Sequence, residues 1–404
     1  MKITILSQYF YPELISTGQL LTELAEDLVN LGCEVDVFAG QPTYYGRSLV
    51  DKKIEYRGIT IHRVGNTQLS KNSISGKILN SLTFSIGVFV KALSSSRDSI
   101  LLVVTNPPVL PMVASLLSII GRQKYVCIIH DVYPDIAVKL GYLKKGGWIE
   151  WLWERMNRKV LRRSRAIVVL GRDMYEKIRQ KLPSSEWGKI HYIPNWSDGD
   201  AIIPVPKDDN EFLKESGFVP SDFIVQYSGN MGLFHDMETI VEAAEKLRDL
   251  PIKFLLIGGG GKRGKIEAMT RSFGLQNVLF LPYQPKEMLR YSLSSSDVSL
   301  VCLEEGIEGL AVPCKYYGIL ASGRPVIALM SEDSEIAASV RESKCGFVIP
   351  QGDADALADK ILFLFHHPDI ASEMGRQGRD LLERKYSRNI VSHQYLDLLK
   401  MVRA

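Results

Sequence analysis

Paired cysteines are absent from this sequence: Cys33, Cys127, Cys302, Cys314 and Cys345 are scattered and form no C-x-x-C. That spacing indicates neither a zinc site nor a disulfide framework. Two of the five lie in apolar, strand-like runs, where a free thiol behaves as a small hydrophobe, and a reducing cytoplasm is the expected compartment. A dominant sign of charge is also lacking. Forty-nine Lys and Arg face 46 Asp and Glu, and the net charge of +3 is too mild to imply a nucleic-acid partner without a local patch. Long uninterrupted apolar runs are missing too. The N-terminus "MKITILSQYFYPE" holds only a short one, less than a signal-peptide core needs. The segment 100–120 could span a bilayer by length, but Asn106-Pro107-Pro108 and Pro111 interrupt it. It reads instead as a strand over Ile100–Val104, a turn and an apolar helix. Two D-x-D strings, Asp198/Asp200 and Asp353/Asp355, come without a second ligand cluster, so neither a metal nor another cofactor is expected. No G-x-G-x-x-G occurs, which weighs against a nicotinamide cofactor, and no internal repeat or low-complexity tract is evident.

What is present is alternation. Short β-branched runs recur at 3–6, 34–39, 59–64, 101–104, 125–129, 166–170 and 190–193, mostly separated by amphipathic stretches. One such stretch carries Leu20, Leu21, Leu24, Leu28 and Leu31 as a helical stripe closed by Gly32. "YIPNWSDGDAIIPVPKDD" then breaks the period with the composition of a linker, and strand runs restart at 223–228 and continue to 346–350. This predicts an α/β chain of two Rossmann-like domains: 1–197, 198–380, and a C-terminal helical segment at 381–404. Ligands of such sheets bind beyond the carboxyl ends of strands, so the site is expected in an interdomain cleft.

Five strand-end loops hold the candidate chemistry. Gly18 opens a helix after the first strand, where a phosphate could approach backbone amides; a simple cap by Ser16 or Thr17 is the alternative. His130 and Asp131 follow "CII", placed to bond a sugar hydroxyl or handle a proton, or merely to satisfy loop carbonyls. Gly229, Asn230 and Gly232 make a turn before a helix expected near Asp236, either an anion nest or an ordinary βα loop. Gly258 to Gly261 precede Lys262 and Arg263, allowing close approach of a ligand or making a flexible turn. Glu304, Glu305 and Glu308 lead into "VPCKYYGILASG", read as a helix with Pro313 in its first turn and Gly323 after its last. Lys315 near its start suggests an anion, while Gly318 is an odd choice for a helix interior.

Taken in order, "STGQLLTELAEDLVNLGCEVDVFAG", "IIHD", "VVLGRDMYEKI", "IHYIPNWSD", "LLIGGGGKR" and "ASGRPVIAL" resemble the retaining family-four glycosyltransferases of GT-B fold. "SGNMG" with "GLAVPCKYYGILASGRPV" is similar to the branch that builds O-antigen, colanic acid and other exopolysaccharides, near the L-fucosamine transferases assigned to it. The resemblance implies a nucleoside-diphosphate sugar, UDP-linked and N-acetylated or deoxy, held by the C-terminal domain. It implies a saccharide acceptor on a polyprenyl diphosphate lipid, held by the N-terminal domain, and front-face attack aided by the leaving phosphate. It places Gly18 by the diphosphate or acceptor, His130 on the donor sugar, Tyr283 and Gln284 near the base, and the last helix back on the first domain. His130, Asp131 and Glu308 are then the candidate catalytic side chains.

This chain departs from the family pattern at four positions. Asn230 and His235 stand where an arginine and a lysine are usual, and Leu310 and Gly318 stand where two glutamates are usual. Lys315 is the available replacement cation, and Glu305 or Glu308 could supply a carboxylate. Residues 144–165 add eight basic residues against two acidic ones. There Ile149, Leu152, Trp153, Met156 and Val160 form a stripe fit for a core, while Trp148, Trp151, Arg155, Arg158 and Arg162 suit an anionic membrane surface or a solvated basic helix. A cytoplasmic protein, peripheral on the inner face of the plasma membrane, is the expectation. A UDP-sugar 2-epimerase of the same fold and a scaffold that has lost catalysis remain the rival readings.

Overall fold

The computed structural model describes residues 1–404 apart from 14–15, 43–50, 68, 70–73, 94–96, 122 and 220, together with the side chains of 74, 75 and 77. Leu14 and Ile15 of the first candidate loop thus lie outside the described residues. The chain divides into two compact units. The first comprises Met1–Pro194, Gly309–Ala311 and Arg388–Ala404; the second comprises Asn195–Glu308 and Val312–Ser387.

The first unit is built on β1 (Lys2–Ser7), β2 (Glu34–Gly40), β3 (Lys53–Tyr56), β4 (Ile59–Val64), β5 (Ile100–Val104), β6 (Tyr125–Ile129), β7 (Ala166–Val169) and β8 (Ile190–Tyr192). Their order is β3-β4-β2-β1-β5-β6-β7-β8, parallel throughout except for β3 against β4. Runs such as Leu101–Val104 are wholly buried because helices cover both faces of a parallel sheet. Strand order reverses at β1. The right-handed crossover rule therefore sets helix Ser16–Asn30 on one face and helices Ile74–Ala92, Leu110–Ile120 and Trp148–Arg163 on the other. The last helix, Arg388–Arg403, packs beside Ser16–Asn30. Arg388 clamps it there, donating to Asp27 Oδ1 at 2.8 Å and Glu26 Oε2 at 2.9 Å.

The second unit has β9 (Phe223–Ser228), β10 (Ile252–Ile257), β11 (Val278–Leu281), β12 (Val298–Cys302), β13 (Val326–Leu329) and β14 (Gly346–Ile349). They form one parallel sheet in the order β11-β10-β9-β12-β13-β14, reversing between β9 and β12. In such open parallel sheets ligands bind outside the carboxyl ends of the two strands at the reversal.

The stretch with the composition of a linker falls at the boundary between the two units and is packed, with Trp196, Ile202 and Val205 buried. Two expectations need correction. Pro313 is not in the first helical turn: the helix spans only Lys315–Ala321, and its entrance is a tighter turn in which Tyr316 N–H donates to the Pro313 carbonyl at 3.4 Å. In helix Trp148–Arg163 the stripe read as core is buried only at Val160, joined by Leu161. Ile149, Leu152 and Met156 stay exposed, while near the end of the helix Tyr125 of β6 donates its hydroxyl to the Val160 carbonyl. The Gly323 expectation holds, with φ at +65°.

Candidate functional site

In the second unit, the carboxyl end of β9 runs into Gly229, whose φ of +145° is open to glycine alone. Gly229 N–H donates to the Ile257 carbonyl at 2.9 Å, and Gly258 N–H to the Leu281 carbonyl at 2.9 Å, so three strand ends are laced together. The backbones approach closely here. A Cβ on Gly258 would lie 2.0 Å from the Gly229 carbonyl oxygen. Tyr227, one turn before, donates its hydroxyl to the Asn230 carbonyl at 2.7 Å and fixes the loop from below.

His235 closes this loop. Its Nδ1 accepts the Gly232 N–H at 3.1 Å, which puts the neutral ring's proton on Nε2. That Nε2 lies 3.1 Å from Lys315 Nζ. Burial, then the charges of Lys315 and Lys262, hold His235 well below the usual histidine range, so the ring is neutral near pH 7. Burial also lowers Lys315. The ammonium sits over the Tyr227 ring, 4.9 Å from its centroid, and among the described residues it has no carboxylate partner. Two donors thus converge on one point. An anionic oxygen beside the pair, within reach of both nitrogens, would accept from both and neutralise the charge.

Lys262 behaves differently. It donates to the His235 carbonyl at 2.9 Å and Glu238 Oε2 at 2.8 Å, and it pairs with Glu304. Burial alone would raise the Glu238 carboxyl, but hydrogen bonds from Lys262 and Lys265 hold it down at about 2. This lysine ties the glycine run, the 229–238 loop and the β12 end together, with its charge already matched. The Glu304 carboxylate is engaged by it, Glu308 Oε1 accepts from Gln351 Nε2 at 2.7 Å, and Glu305 is exposed. The Tyr283 ring lies over Gly258 and Gly259, half its area open, as a platform on which a planar ring could stack. Gln284 folds back onto the Pro282 carbonyl at 2.9 Å. Gly318 has room: a Cβ there would come no nearer than 3.4 Å to Leu293 Cδ1.

The first unit holds the remaining candidates. Thr105, at the end of β5, accepts the His130 N–H at 3.0 Å and the Asp131 N–H at 3.1 Å, and so sets the β6 exit. Residues 309–311 run antiparallel to this exit, Val132 N–H donating to the Leu310 carbonyl at 2.8 Å. Burial pushes His130 down to about 4 and Asp131 up to about 6. The pair near pH 7 is therefore a neutral imidazole beside a carboxylate at the top of its buffering range. Gly18 is buried in the first turn of its helix, and a Cβ there would meet the Glu13 carbonyl at 2.9 Å. Its missing side chain makes way for the chain's own preceding loop.

The unit assignment separates Gly18, His130 and Asp131 from the donor candidates, while Gly229, Gly232, His235, Gly258 and Lys315 come together within the second unit. Thr105, Tyr227 and the Lys262 tie were not singled out from sequence for these roles. A buried tyrosine two residues before a glycine turn was the available signal for Tyr227. Among the described residues, no group of three or more His, Cys, Asp or Glu side chains is arranged to hold a metal ion.

Two family descriptions and several known proteins match this chain. The family description "Glycosyl transferase 4-like domain" matches residues 17–196, and "Glycosyl transferases group 1" matches 208–381. A Pseudomonas aeruginosa protein named as a glycosyltransferase, WbjE, is 26% identical over 396 residues, covering 96% of this chain and 95% of its own. An Escherichia coli K12 protein named for colanic acid biosynthesis, WcaI, is 29% identical, covering 80% and 82%. Sucrose-phosphate synthase from Thermosynechococcus elongatus has a similar structure, at a TM-score of 0.82 and 18% identity over 100% of this chain and 99% of that one. Anabaena HepE, in complex with UDP-glucose, gives 0.76 at 15% identity over 99% and 100%. Two matched domain families, end to end and in order, mean that this chain belongs to the GT-B glycosyltransferases.

Proposed function

We propose that this glycosyltransferase takes a sugar from a UDP-linked donor bound at the second unit and adds it, with retained configuration, to a lipid-linked saccharide in exopolysaccharide or O-antigen assembly. The observation that carries the donor assignment is the Lys315–His235 pair: two donors 3.1 Å apart, one of them a cation with no carboxylate partner among the described residues, beside a glycine turn. A diphosphate oxygen is the acceptor that both lack. In transfer, the departing diphosphate would gain charge where the Lys315 ammonium already sits, and no metal or other cofactor is required of this arrangement. Tyr283 would stack the uracil, and Glu305 or Glu308 would take sugar or ribose hydroxyls. His130, neutral, would bond a sugar hydroxyl, with ionised Asp131 beside it. UDP in the complexed neighbour and colanic acid in a relative's name support the choice of nucleotide and pathway.

The test is a thermal-shift screen of UDP, GDP, ADP and dTDP, followed by donor hydrolysis. A ligand at a hundred times its dissociation constant stabilises by about 2.7 kcal/mol. UDP alone among the four should raise the melting temperature, and the matching UDP-sugar should be hydrolysed to free sugar and UDP. No shift with any nucleotide would overturn the reading.

A further inference from the structure

Lys315 carries a charge that the empty site has to hold in place. Its stem lies on the backbone of Gly229, where a Cβ would come 3.0 Å from Lys315 Cε and 4.0 Å from Nζ. His235 faces the ammonium with the wrong polarity. Its Nδ1 already accepts the Gly232 N–H, so the Nε2 that lies 3.1 Å from Lys315 Nζ carries a proton and offers no lone pair. Cys302 and Cys314 also face this lysine, and burial pushes the Cys302 thiol up to about 12, which leaves it uncharged near pH 7. Lys262, whose charge also reaches His235, has the same sign. Two lysines thus serve the same strand ends on different terms. Lys262 pairs with Glu238 and Glu304, whereas Lys315 meets no carboxylate among the described residues.

What Lys315 meets is the face of Tyr227. The ammonium lies 4.9 Å from the ring centroid, inside the roughly 6 Å over which a ring quadrupole attracts a cation. The ring is itself fixed. It is fully buried on β9, its hydroxyl donates to the Asn230 carbonyl at 2.7 Å, and it meets the His235 ring edge-on with centroids 6.3 Å apart. Burial raises the hydroxyl well above the usual tyrosine range, so the ring acts as a neutral π face and not as a phenolate.

We propose that Tyr227 is a positioning residue for diphosphate recognition: its ring takes the place of a counter-ion in the empty site, keeping the Lys315 ammonium charged and in place beside His235 until an anion arrives. The inference rests on the donor site proposed above. A carboxylate at this position would neutralise the lysine, as Glu238 and Glu304 do for Lys262, and would compete with the ligand. A π face attracts the cation and leaves its charge available to phosphate oxygens.

The experiment places phenylalanine, then mono-, di- and trifluorinated phenylalanine, at position 227. Volume barely changes along this series, while fluorine withdraws negative charge from the ring face. Lys315 is followed in the empty protein by carbon-13 NMR of labelled lysine, its resonance assigned by its loss in Lys315→Met. UDP affinity is measured by calorimetry across the same pH range. Tyr227→Phe should keep the lysine's titration midpoint and lose only the hydrogen bond to Asn230. Each added fluorine should move that midpoint to lower pH, because the charged form loses its support, and the alkaline fall in UDP affinity should move with it. At neutral pH the trifluorinated protein should bind UDP about fivefold more weakly than Tyr227→Phe. A role in filling the core alone would move neither midpoint. Midpoints that do not follow fluorination overturn the proposal, as does a UDP affinity that Tyr227→Phe lowers as far as the trifluorinated ring does. A lysine midpoint that follows fluorination while UDP binds none of these proteins, wild type included, would leave the contact between ring and ammonium standing and overturn the donor reading.

Discussion

Replacing Lys315 with methionine keeps most of the side-chain volume and removes the charge. Lys315 Nζ lies 3.1 Å from His235 Nε2 and 4.9 Å from the Tyr227 ring centroid. A hydrogen bond from a charged donor contributes about 1.5–3 kcal/mol, so UDP should bind about tenfold to a hundredfold more weakly to Lys315→Met. The empty protein should respond in the opposite sense. Burial disfavours this ammonium, so its removal should stabilise the apo form by up to about 1 kcal/mol, less whatever the contact with Tyr227 returns. The pH dependence follows from the lowered Lys315 pKa. Because the unfolded chain holds this proton more tightly than the folded one, the charge penalty is full below the folded pKa and disappears as the pH climbs toward the ordinary lysine value. The stability advantage of the variant should therefore shrink in that alkaline window, and wild-type affinity for UDP should fall in the same window. Calorimetric titration with UDP and thermal scans of the empty protein give both numbers. UDP affinity within about twofold of wild type, or a variant less stable than wild type when empty, would refute the reasoning.

Within the glycine run, Gly258→Ala should lose the folded loop and UDP binding, given φ of +130° and a Cβ 2.0 Å from the Gly229 carbonyl; Gly261→Ala, with nothing nearer than 3.7 Å, should keep its melting temperature. His235→Ala strands the Gly232 N–H and should cost about 1–3 kcal/mol of stability in thermal or urea unfolding, while His235→Asn, whose Oδ1 can take the place of Nδ1, should recover most of it. Gly318→Ala should stabilise the helix by about 0.5–1 kcal/mol. If ribose recognition was lost with the glutamate usual at this position, Gly318→Glu should tighten UDP binding in calorimetry, and unchanged affinity would show that the hydroxyls are held elsewhere.

The parallel strands were legible because burial on both faces leaves nearly continuous apolar runs, and the runs read from the sequence coincide with strands within a residue or two. β3 was missed for the complementary reason: Lys53 and Glu55 alternate on an exposed antiparallel edge, where charge discourages further pairing and hides the strand signal. At the boundary between the units, proline and asparagine marked an irregular stretch correctly but said nothing about where Trp196 would go. Composition reads local backbone preference. Burial of an irregular segment is decided by the core it meets.

The site was legible as a set of loops and illegible as a set of roles. Lys262 and Lys315 look equivalent in sequence, each next to glycine-rich turns, yet Glu238 and Glu304 neutralise one while the other faces a neutral histidine. That difference depends on contacts between residues tens of positions apart, which no local pattern carries. The same holds for the four consecutive glycines: Gly258 and Gly260 have φ of +130° and +132°, and Gly259 and Gly261 do not need their freedom. Where the usual arginine and lysine are absent, the chain keeps the glycine turn and supplies charge from Lys315, on the helix that follows β12. A buried cation without an anion is tolerated in the empty protein only at a cost in stability. A ligand that supplies the anion removes that cost on binding, so the same residue that weakens the apo fold would contribute most to recognising a diphosphate.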